Sequence, residues 1–153
     1  MIYEKSTAKQ IISDREELKN IVSDSISQMA SIVGRTLGPG GNPVLIERDG
    51  LSPLITKDGV TVAKALGLHR AEQNVIIESA KEICTNTAKE AGDGTTTAIV
   101  LADAIVKFGS DFIKSHPKYN AQRLVSELNL AYKSVVLPYL KKMPLQQKQK
   151  NNF

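Results

Sequence analysis

The 153-residue chain has few aromatic residues and a single cysteine. Aromatic side chains make up 5% of the chain and tryptophan is absent, so the core must be built from aliphatic side chains. Cys84 alone cannot form an internal disulfide, which excludes the disulfide-rich secreted class and fits a reducing compartment. No apolar run reaches the roughly 18 residues of a membrane span, and the N-terminus is polar where a signal peptide is apolar. We therefore expect a cytoplasmic protein with no membrane partner.

Basic residues outnumber acidic ones, giving a net charge of +4, but they form no obvious binding face. Part of the excess lies near the polar C-terminal ending, at Lys141, Lys142, Lys148 and Lys150. A surface for nucleic acid needs basic residues clustered on a folded element, with aromatic residues between them. Neither feature is found. We predict a solvated tail over residues 143–153 and no nucleic-acid partner.

Hydrophobic periodicity predicts a mainly α fold, a helical bundle with one β-hairpin. Ser13 and Glu16 have the spacing of a capping box at the start of the first helix. Within this helix, apolar residues recur at helical spacing, at Leu18, Val22, Ile26, Met29 and Val33. The helix is expected to end at Gly38 and Pro39.

The hairpin is predicted from two short β-rich runs, residues 44–46 and 54–55, on either side of Asp49-Gly50. Three helices follow, over residues 72–91 with Gly92 as the stop, over residues 95–113, and from Asn120 to an end at Pro138 and Pro144. Residues predicted to face inward are Ile76, Ala80, Ile83, Thr87 and Ala91 in the second helix, Ala98, Leu101, Ala102, Ile105, Phe112 and Ile113 in the third, and Leu124, Val125, Leu128, Ala131, Tyr132 and Val135 in the fourth.

The segment GDGTTT, residues 92–97, places two glycines and three threonines where a helix begins. A helix N-terminus exposes unpaired N–H groups and the positive end of the helix dipole, so it favours anions. Glycines allow a ligand to approach the backbone, and the threonines add hydroxyl donors. Asp93 offers a carboxylate for Mg²⁺, which often binds together with phosphates. The alternative is a capped helix after a glycine turn.

Two further turns have compatible chemistry. The segment TLGPGGN, residues 36–42, is by itself a helix stop. The segment TKDGV, residues 56–60, offers Lys57 to a phosphate and Asp58 to a water or a metal, although alone it is only a turn. None of the three segments is a GxxxxGK[ST] P-loop.

Together, and at these intervals, TLGPGG, LITKDGVTVAK and AGDGTTTAIVLA resemble the N-terminal part of the equatorial domain of the GroEL-type (group I) chaperonins. The resemblance covers about residues 7–139. It implies that residues 1–142 form the first half of an equatorial domain, with ATP and Mg²⁺ as cofactors. The implied nucleotide-pocket residues are Thr36, Leu37, Gly38, Pro39, Lys57 for the phosphates, Asp93 for the metal, and Gly94, Thr95, Thr96 and Thr97 as donors to phosphate oxygens. Asp58 matches an aspartate that helps to position the attacking water, so it is the candidate catalytic residue.

The chain departs from the family pattern in the first turn and in length. Gly40 stands where the family usually has a lysine, and Asn42-Pro43 where it has Arg-Asn, next to a hairpin that in the family pairs with a neighbouring subunit. The intermediate and apical domains do not follow, so we expect a truncated or split subunit that reaches unfolded clients only through domains it lacks. Its expected partners are ATP and chaperonin subunits, either copies of itself or a separately encoded remainder.

The sequence is compatible with two functions. The first is an ATP-binding module in ATP-dependent protein folding, which the retained pocket residues favour. The second is a non-enzymatic, chaperonin-derived module that docks on a chaperonin ring. Whether the chain hydrolyses ATP is not determined by these residues.

Overall fold

Helices dominate the computed structural model, which describes residues 14–143. The elements are α1 (Arg15–Gly34), β1 (Val44–Ile46), β2 (Leu54–Thr56), α2 (Gly59–Ala65), α3 (Ala71–Ala91), α4 (Thr95–Ser115), α5 (Ala121–Ala131), a π-helical turn (Tyr132–Val136) and α6 (Leu137–Lys142). The chain divides into two units after Phe108. The predicted class, mainly α with one hairpin, is confirmed. Among residues 14–143, no helix combines the length and the apolar character that crossing a bilayer requires.

The first helix begins at a different cap from the one predicted. The Asp14 carboxylate accepts hydrogen bonds from the backbone N–H groups of Glu16 and Glu17, each at 2.7 Å. Aspartate caps helices as well as serine does, so the predicted Ser13–Glu16 capping box is wrong, and Ser13 itself lies outside the described residues. At its other end α1 stops at Gly34, four residues before Gly38.

The core of the first unit is aliphatic, as the shortage of aromatic residues predicted. Of the predicted α1 stripe, Ile26, Met29 and Val33 are buried, whereas Leu18 is exposed. The cluster of buried residues is Ile26, Met29, Ala30, Val33, Val62, Ala63, Ile77, Ala80, Cys84 and Ile99. These side chains come from α1, α2, α3 and the first turns of α4, so the core joins the four helices that surround the glycine-rich turns.

The buried face of α3 differs from the predicted one by a rotation of about one residue. Ile77, Ala80 and Cys84 are buried, whereas Ile83 is 39% exposed. Both sets recur at intervals of three or four, so periodicity alone does not separate them. The end of the helix was predicted correctly. Gly92 has a φ of +73° and its N–H donates to the Ala88 carbonyl at 3.1 Å.

The hairpin is confirmed and is followed by a short helix that the sequence reading missed. Strands β1 and β2 pair antiparallel, with Leu45 opposite Ile55. The seven-residue α2 begins directly after Asp58 and buries Val62 and Ala63. Seven residues are too few to establish a helical period. The available signal was a good N-cap residue, Asp58, ahead of an apolar pair.

In the second unit, α5 begins at the predicted cap, because Asn120 accepts a hydrogen bond from the Gln122 N–H at 2.8 Å. The predicted end at Pro138 is wrong. The π-helical turn, closed by the Leu137 N–H on the Tyr132 carbonyl, leads into α6, where Pro138 occupies the first turn. The helical path therefore continues through Pro138 instead of ending there. Pro144 and the predicted tail beyond Met143 lie outside the described residues.

Several residues predicted to face inward are exposed instead. In α4 these are Leu101 and Ile105. In the second unit, the exposed residues are Val125, Leu128, Ala131, Tyr132 and Val135. Tyr139, which was not among the residues predicted to face inward, is exposed as well. Leu124 is partly covered and lies beside Gly109. The amphipathic pattern was therefore read correctly, but the apolar face is not covered within the described residues.

Candidate phosphate-binding site

The three glycine-rich segments meet around a cavity of about 410 Å³ in the first unit. Its lining residues are Thr36, Leu37, Gly38, Lys57, Asp58, Gly59, Val60, Gly92, Asp93, Gly94, Thr95, Thr96 and Thr97. All of the predicted site residues lie on it except Pro39, which is exposed. Gly59, Val60 and Gly92 were not predicted, although each directly adjoins a predicted residue. The structure thus brings together segments separated by up to about 60 positions in the chain.

The first turn of α4 forms one wall of this cavity. Gly92 and Gly94 have φ values of +73° and +86°, which a residue with a side chain rarely adopts, so both glycines are needed for the turn. Within the part of the chain that the structure describes, the backbone N–H groups of Thr95, Thr96 and Thr97 donate to no other group. Three free donors at the positive end of a 21-residue helix favour an anion.

Thr95 carries an unpaired hydroxyl on the same wall. Its side chain is 4% exposed, and Oγ1 is the one buried side-chain polar atom without a hydrogen-bond partner among residues 14–143. Leaving a buried hydroxyl unpaired costs about 1–3 kcal/mol. A native structure retains such a group where a ligand or a water completes it. Thr95 also lines the cavity, so a ligand bound there lies beside the residue that carries this hydroxyl.

The ends of α1, α2 and α4 meet at Thr36, Gly59 and Thr96. The Thr36 hydroxyl donates to the Val33 carbonyl at 2.7 Å and lies 3.2 Å from the Thr96 hydroxyl. Since the single proton of Thr36 is used on Val33, Thr96 must be the donor in that pair. A β-carbon on Gly59 would overlap Thr96 Oγ1 and lie 3.4 Å from Thr36 Oγ1. The three chain segments are therefore in close contact at the cavity wall.

Asp58 acts as the N-cap of α2 in this structure. Its carboxylate accepts hydrogen bonds from the Thr61 hydroxyl, from the Thr61 N–H at 2.9 Å and from the Val60 N–H at 3.3 Å. The Thr61 hydroxyl is the main cause of a lowered pKa for Asp58. Burial, the second-largest effect, raises that pKa, and the Thr61 and Val60 N–H groups lower it further. Asp58 is consequently a carboxylate at neutral pH. The sequence reading did not foresee this capping role.

Lys57 and Asp93 supply opposite charges at the cavity. Lys57 is exposed and forms no salt bridge with any described residue. One Asp93 oxygen accepts the Gly94 N–H at 2.6 Å. Between residues 14 and 143, no group of three or more His, Cys, Asp or Glu side chains is arranged to hold a metal. Mg²⁺ commonly takes one or two carboxylates and completes its shell with phosphates and water. The donor set therefore fits Mg²⁺ bound together with a phosphate ligand, and does not fit a metal held by the protein alone.

Comparisons with known proteins identify the family. The model of the TCP-1/cpn60 chaperonin family matches residues 29–152. A 97-residue stretch, 63% of the chain, is 45% identical to the mitochondrial 60 kDa heat shock protein homolog 2 of Drosophila melanogaster and spans 17% of that protein. The chaperonin gp146 of the bacteriophage EL 2 (Pseudomonas aeruginosa), crystallised in the presence of ATP-BeFx, is also similar. One crystal form has a TM-score of 0.60 and 35% identity over 63% of this chain and 18% of that one. The other crystal form has a TM-score of 0.55 and 36% identity over 59% of this chain and 16% of that one.

These matches confirm the chaperonin resemblance on which the sequence prediction rested. The family model spans most of the described residues, including all three glycine-rich segments and the cavity that they line. The chain covers about a sixth of the length of the proteins it matches. On the family model and these relatives, the chain belongs to the TCP-1/cpn60 chaperonin family.

Proposed function

We propose that this chain is a nucleotide-binding module of a chaperonin, which holds Mg-ATP by its phosphates at the N-terminus of α4 and serves ATP-dependent protein folding. The observation that carries the proposal is the buried, unpaired hydroxyl of Thr95. It lies beside three free backbone N–H groups in the same cavity as Lys57 and Asp93. A phosphate supplies the oxygen acceptors that all of these donors lack.

Each side of the cavity has a distinct part in this proposal. The backbone N–H groups of Thr95, Thr96 and Thr97 and the hydroxyls of Thr95 and Thr97 donate to phosphate oxygens, and the positive-φ turn at Gly94 lets the phosphates approach. Lys57 neutralises phosphate charge. Thr36, Leu37 and Gly38, just after the end of α1, line the cavity next to Thr96 and would contact the rest of the nucleotide. Pro39 adjoins this wall without lining it.

Asp93 is proposed as the protein ligand of Mg²⁺. The other Asp93 oxygen accepts no hydrogen bond from the described residues, which leaves it available to a metal. A bound Mg²⁺ would neutralise charge on the phosphates. Since no group of three or more His, Cys, Asp or Glu side chains among residues 14–143 is arranged to hold a metal, Mg²⁺ is expected to bind with the nucleotide and not before it.

The relatives support a nucleotide as the phosphate ligand. The phage chaperonin, 35% identical, was crystallised in the presence of ATP-BeFx. The partners proposed for this chain are further chaperonin subunits, whether copies of itself or separately encoded chains. Asp58 is proposed to position the attacking water, a role that an ionised carboxylate in the cavity wall can serve.

Calorimetric titration of the full chain with ATP, with and without Mg²⁺, tests the binding proposal. Wild-type protein should bind Mg-ATP more tightly than ATP alone. Asp93→Asn should remove that difference, because the amide keeps the hydrogen bond from Gly94 but loses the charge. Asp49→Asn, in the hairpin loop and away from the cavity, is the matched control and should behave as wild type. An Asp93→Asn chain that retains the full Mg²⁺ dependence would refute the metal assignment.

Phosphate release separates turnover from binding. Asp58→Asn removes the charge of Asp58 but keeps a residue that caps helices well, so α2 should be preserved. If Asp58 positions water, this variant should bind Mg-ATP normally and release phosphate at a rate about 100-fold lower, as is typical for loss of a general-base group. An unchanged rate would remove Asp58 from the proposal and leave the phosphate-binding site untouched.

A further inference from the structure

A hydrogen bond between side chains joins α1 to α4 at a distance from the cavity. Ser27 Oγ on α1 donates to Asp103 Oδ1 on α4 at 2.7 Å, across 76 positions of the chain. Lys107, one turn further along α4, holds the other Asp103 oxygen at 2.9 Å. The Asp103 side chain is only 16% exposed. Burial raises the pKa of Asp103, but the hydrogen bonds from Lys107 and Ser27 outweigh it and hold that pKa below its ordinary value.

The same two helices meet again at the cavity, where Thr96 donates to Thr36 at 3.2 Å. Ser27 lies nine residues before Thr36, and Asp103 lies seven residues after Thr96. The two helices therefore run antiparallel between these contacts. At 1.5 Å per residue, the Ser27–Asp103 bond lies about 10 Å along α4 from the cavity. Between the two contacts, Gly34 approaches Val100, with room for a β-carbon 3.5 Å from Cγ2.

Apart from these contacts, α4 buries few side chains in the core. Its buried residues are Thr95 and Ile99, whereas α1 buries six residues. Leu101 and Ile105 of α4 are exposed, so they do not fix its position within the described structure. A helix anchored by a single fully buried aliphatic side chain can shift or rotate about that point. The polar contact at Asp103 opposes that movement because it holds α4 at a second point, about one turn beyond Ile99.

We propose that the Ser27–Asp103 hydrogen bond is a positioning contact, which fixes the distance between the N-terminus of α4 and the end of α1. This distance sets the width of the phosphate site. This inference rests on the proposed function for its ligand. Its structural part, the restraint of the first turn of α4, stands independently. Ser27 and Asp103 would touch no ligand and would act through the placement of Thr95, Thr96 and Thr97.

The test compares two serine-to-alanine variants of α1 in the full chain. Ser27→Ala removes the bond between helices, whereas Ser25→Ala removes a hydroxyl that is fully buried but donates only to the Ile21 carbonyl of its own helix, at 2.6 Å. Ser27→Ala should weaken Mg-ATP binding by about 3- to 30-fold. Ser25→Ala should leave affinity unchanged, whatever its effect on the unfolding temperature. Ser27→Thr, which keeps a hydroxyl, should restore binding towards the wild-type value.

Asp103→Ala tests the bond from the other helix. Because both variants delete the same contact, the double variant Ser27→Ala/Asp103→Ala should bind Mg-ATP no more weakly than Asp103→Ala alone. Additive losses in the double variant would mean that the two residues act separately and would overturn the proposal.

Hydrogen exchange, measured without nucleotide, separates this inference from the proposed function. The amides of Thr95, Thr96 and Thr97 and of the following turn should exchange faster in Ser27→Ala than in Ser25→Ala or wild type. If the wild-type chain fails to bind ATP, the proposed function falls, and the exchange result still decides whether the contact restrains α4. Unchanged exchange, or Ser27→Ala binding like wild type, would overturn the inference.

Discussion

Gly59 packs against Thr96 so closely that a β-carbon at position 59 would overlap the Thr96 hydroxyl oxygen. The φ angle of Gly59 is not in the left-handed region, which among the described glycines is occupied by Gly38, Gly50, Gly92 and Gly94. Glycine is therefore required at 59 for space and not for backbone conformation. The contact links the start of α2 to the first turn of α4, so two of the three glycine-rich segments depend on it.

Gly59→Ala should destabilise the protein and weaken nucleotide binding together. Alanine is normally preferred to glycine in a helix, by up to about 1 kcal/mol, but here the added methyl group must displace Thr96 or α2. Overpacking of this kind costs about 1–3 kcal/mol. Chemical denaturation should show the loss in the free energy of unfolding, and calorimetry the loss of Mg-ATP affinity.

Gly67→Ala is the matched control for that substitution. Nothing lies within 4 Å of a β-carbon at Gly67, and its φ is not positive. This variant should be neutral or stabilised by about 0.4–1 kcal/mol, because alanine restricts the unfolded chain. If both glycine variants had the same stability, the close packing of Gly59 against Thr96 would not restrict the size of the residue at position 59.

Thr95→Val should raise stability and lower affinity at the same time. The substitution replaces an unpaired, buried hydroxyl by a methyl group of nearly the same shape, which should stabilise the ligand-free chain by about 1 kcal/mol. The same change removes a donor to a charged phosphate oxygen, a bond worth about 1.5–3 kcal/mol, so Mg-ATP should bind about tenfold more weakly or worse. Thermal unfolding and calorimetry measure the two effects, and Thr95→Ser, which keeps the hydroxyl, should show neither the gain nor most of the loss.

The Asp58 cap predicts a defined pH dependence. Its pKa in the folded chain lies below the ordinary value of 3.8, so the stability it contributes is complete above that value and is lost as the pH falls through the folded pKa. At neutral pH, Asp58→Ala should cost about 1 kcal/mol, as for other N-caps. Because Asp58 is exposed to solvent, only a fraction of that cost is expected to depend on pH. Denaturation curves of both chains should therefore converge partly below about pH 4, and a gap that widens in acid would contradict the assigned cause.

The sequence indicated most of the residues that line the cavity, partly from local signals and partly from the family resemblance. The glycines and threonines of GDGTTT stand out locally because they lie where a helix begins, whereas Lys57 lies in a segment that is only a turn by itself and was included through the resemblance. The meeting of Thr36, Gly59 and Thr96 could not be derived from residue spacing, because it depends on how α1, α2 and α4 pack. Resemblance to a family indicated that the segments converge, but not that Gly59 is the point of contact.

The errors in the fold also have physical causes. Ser13 and Asp14 are adjacent and both are good caps, so composition could not choose between them. In α3, Ile76 and Ile77 begin two equally periodic apolar faces, and only the packing against α1 selects the second. Burial was the least predictable property. An apolar stripe identifies the face of a helix that favours burial. Whether another segment covers that face depends on the tertiary packing.

The exposed apolar residues of the second unit form a face that should promote association of the chain. Val125, Leu128, Tyr132, Val135 and Tyr139 follow one another at intervals of three and four and are between 45% and 66% exposed. Contiguous apolar surface of this kind drives association or aggregation. Full-length chain at tens of micromolar, a range in which exposed apolar surface commonly aggregates, should therefore scatter more light than a monomer. It should form larger species of no single size.

Charged substitutions test whether this face is responsible. Leu128→Glu and Val135→Glu place a charge within the face, so each should lower the average mass in light scattering with little loss of stability, since both positions are exposed. Asn129→Glu adds the same charge to α5 at an exposed polar position and serves as the control for net charge alone. If Asn129→Glu dissolved the larger species as well as Leu128→Glu, general charge repulsion would explain the effect. A wild-type chain that remained monomeric at the same concentration would show that the apolar face does not drive association.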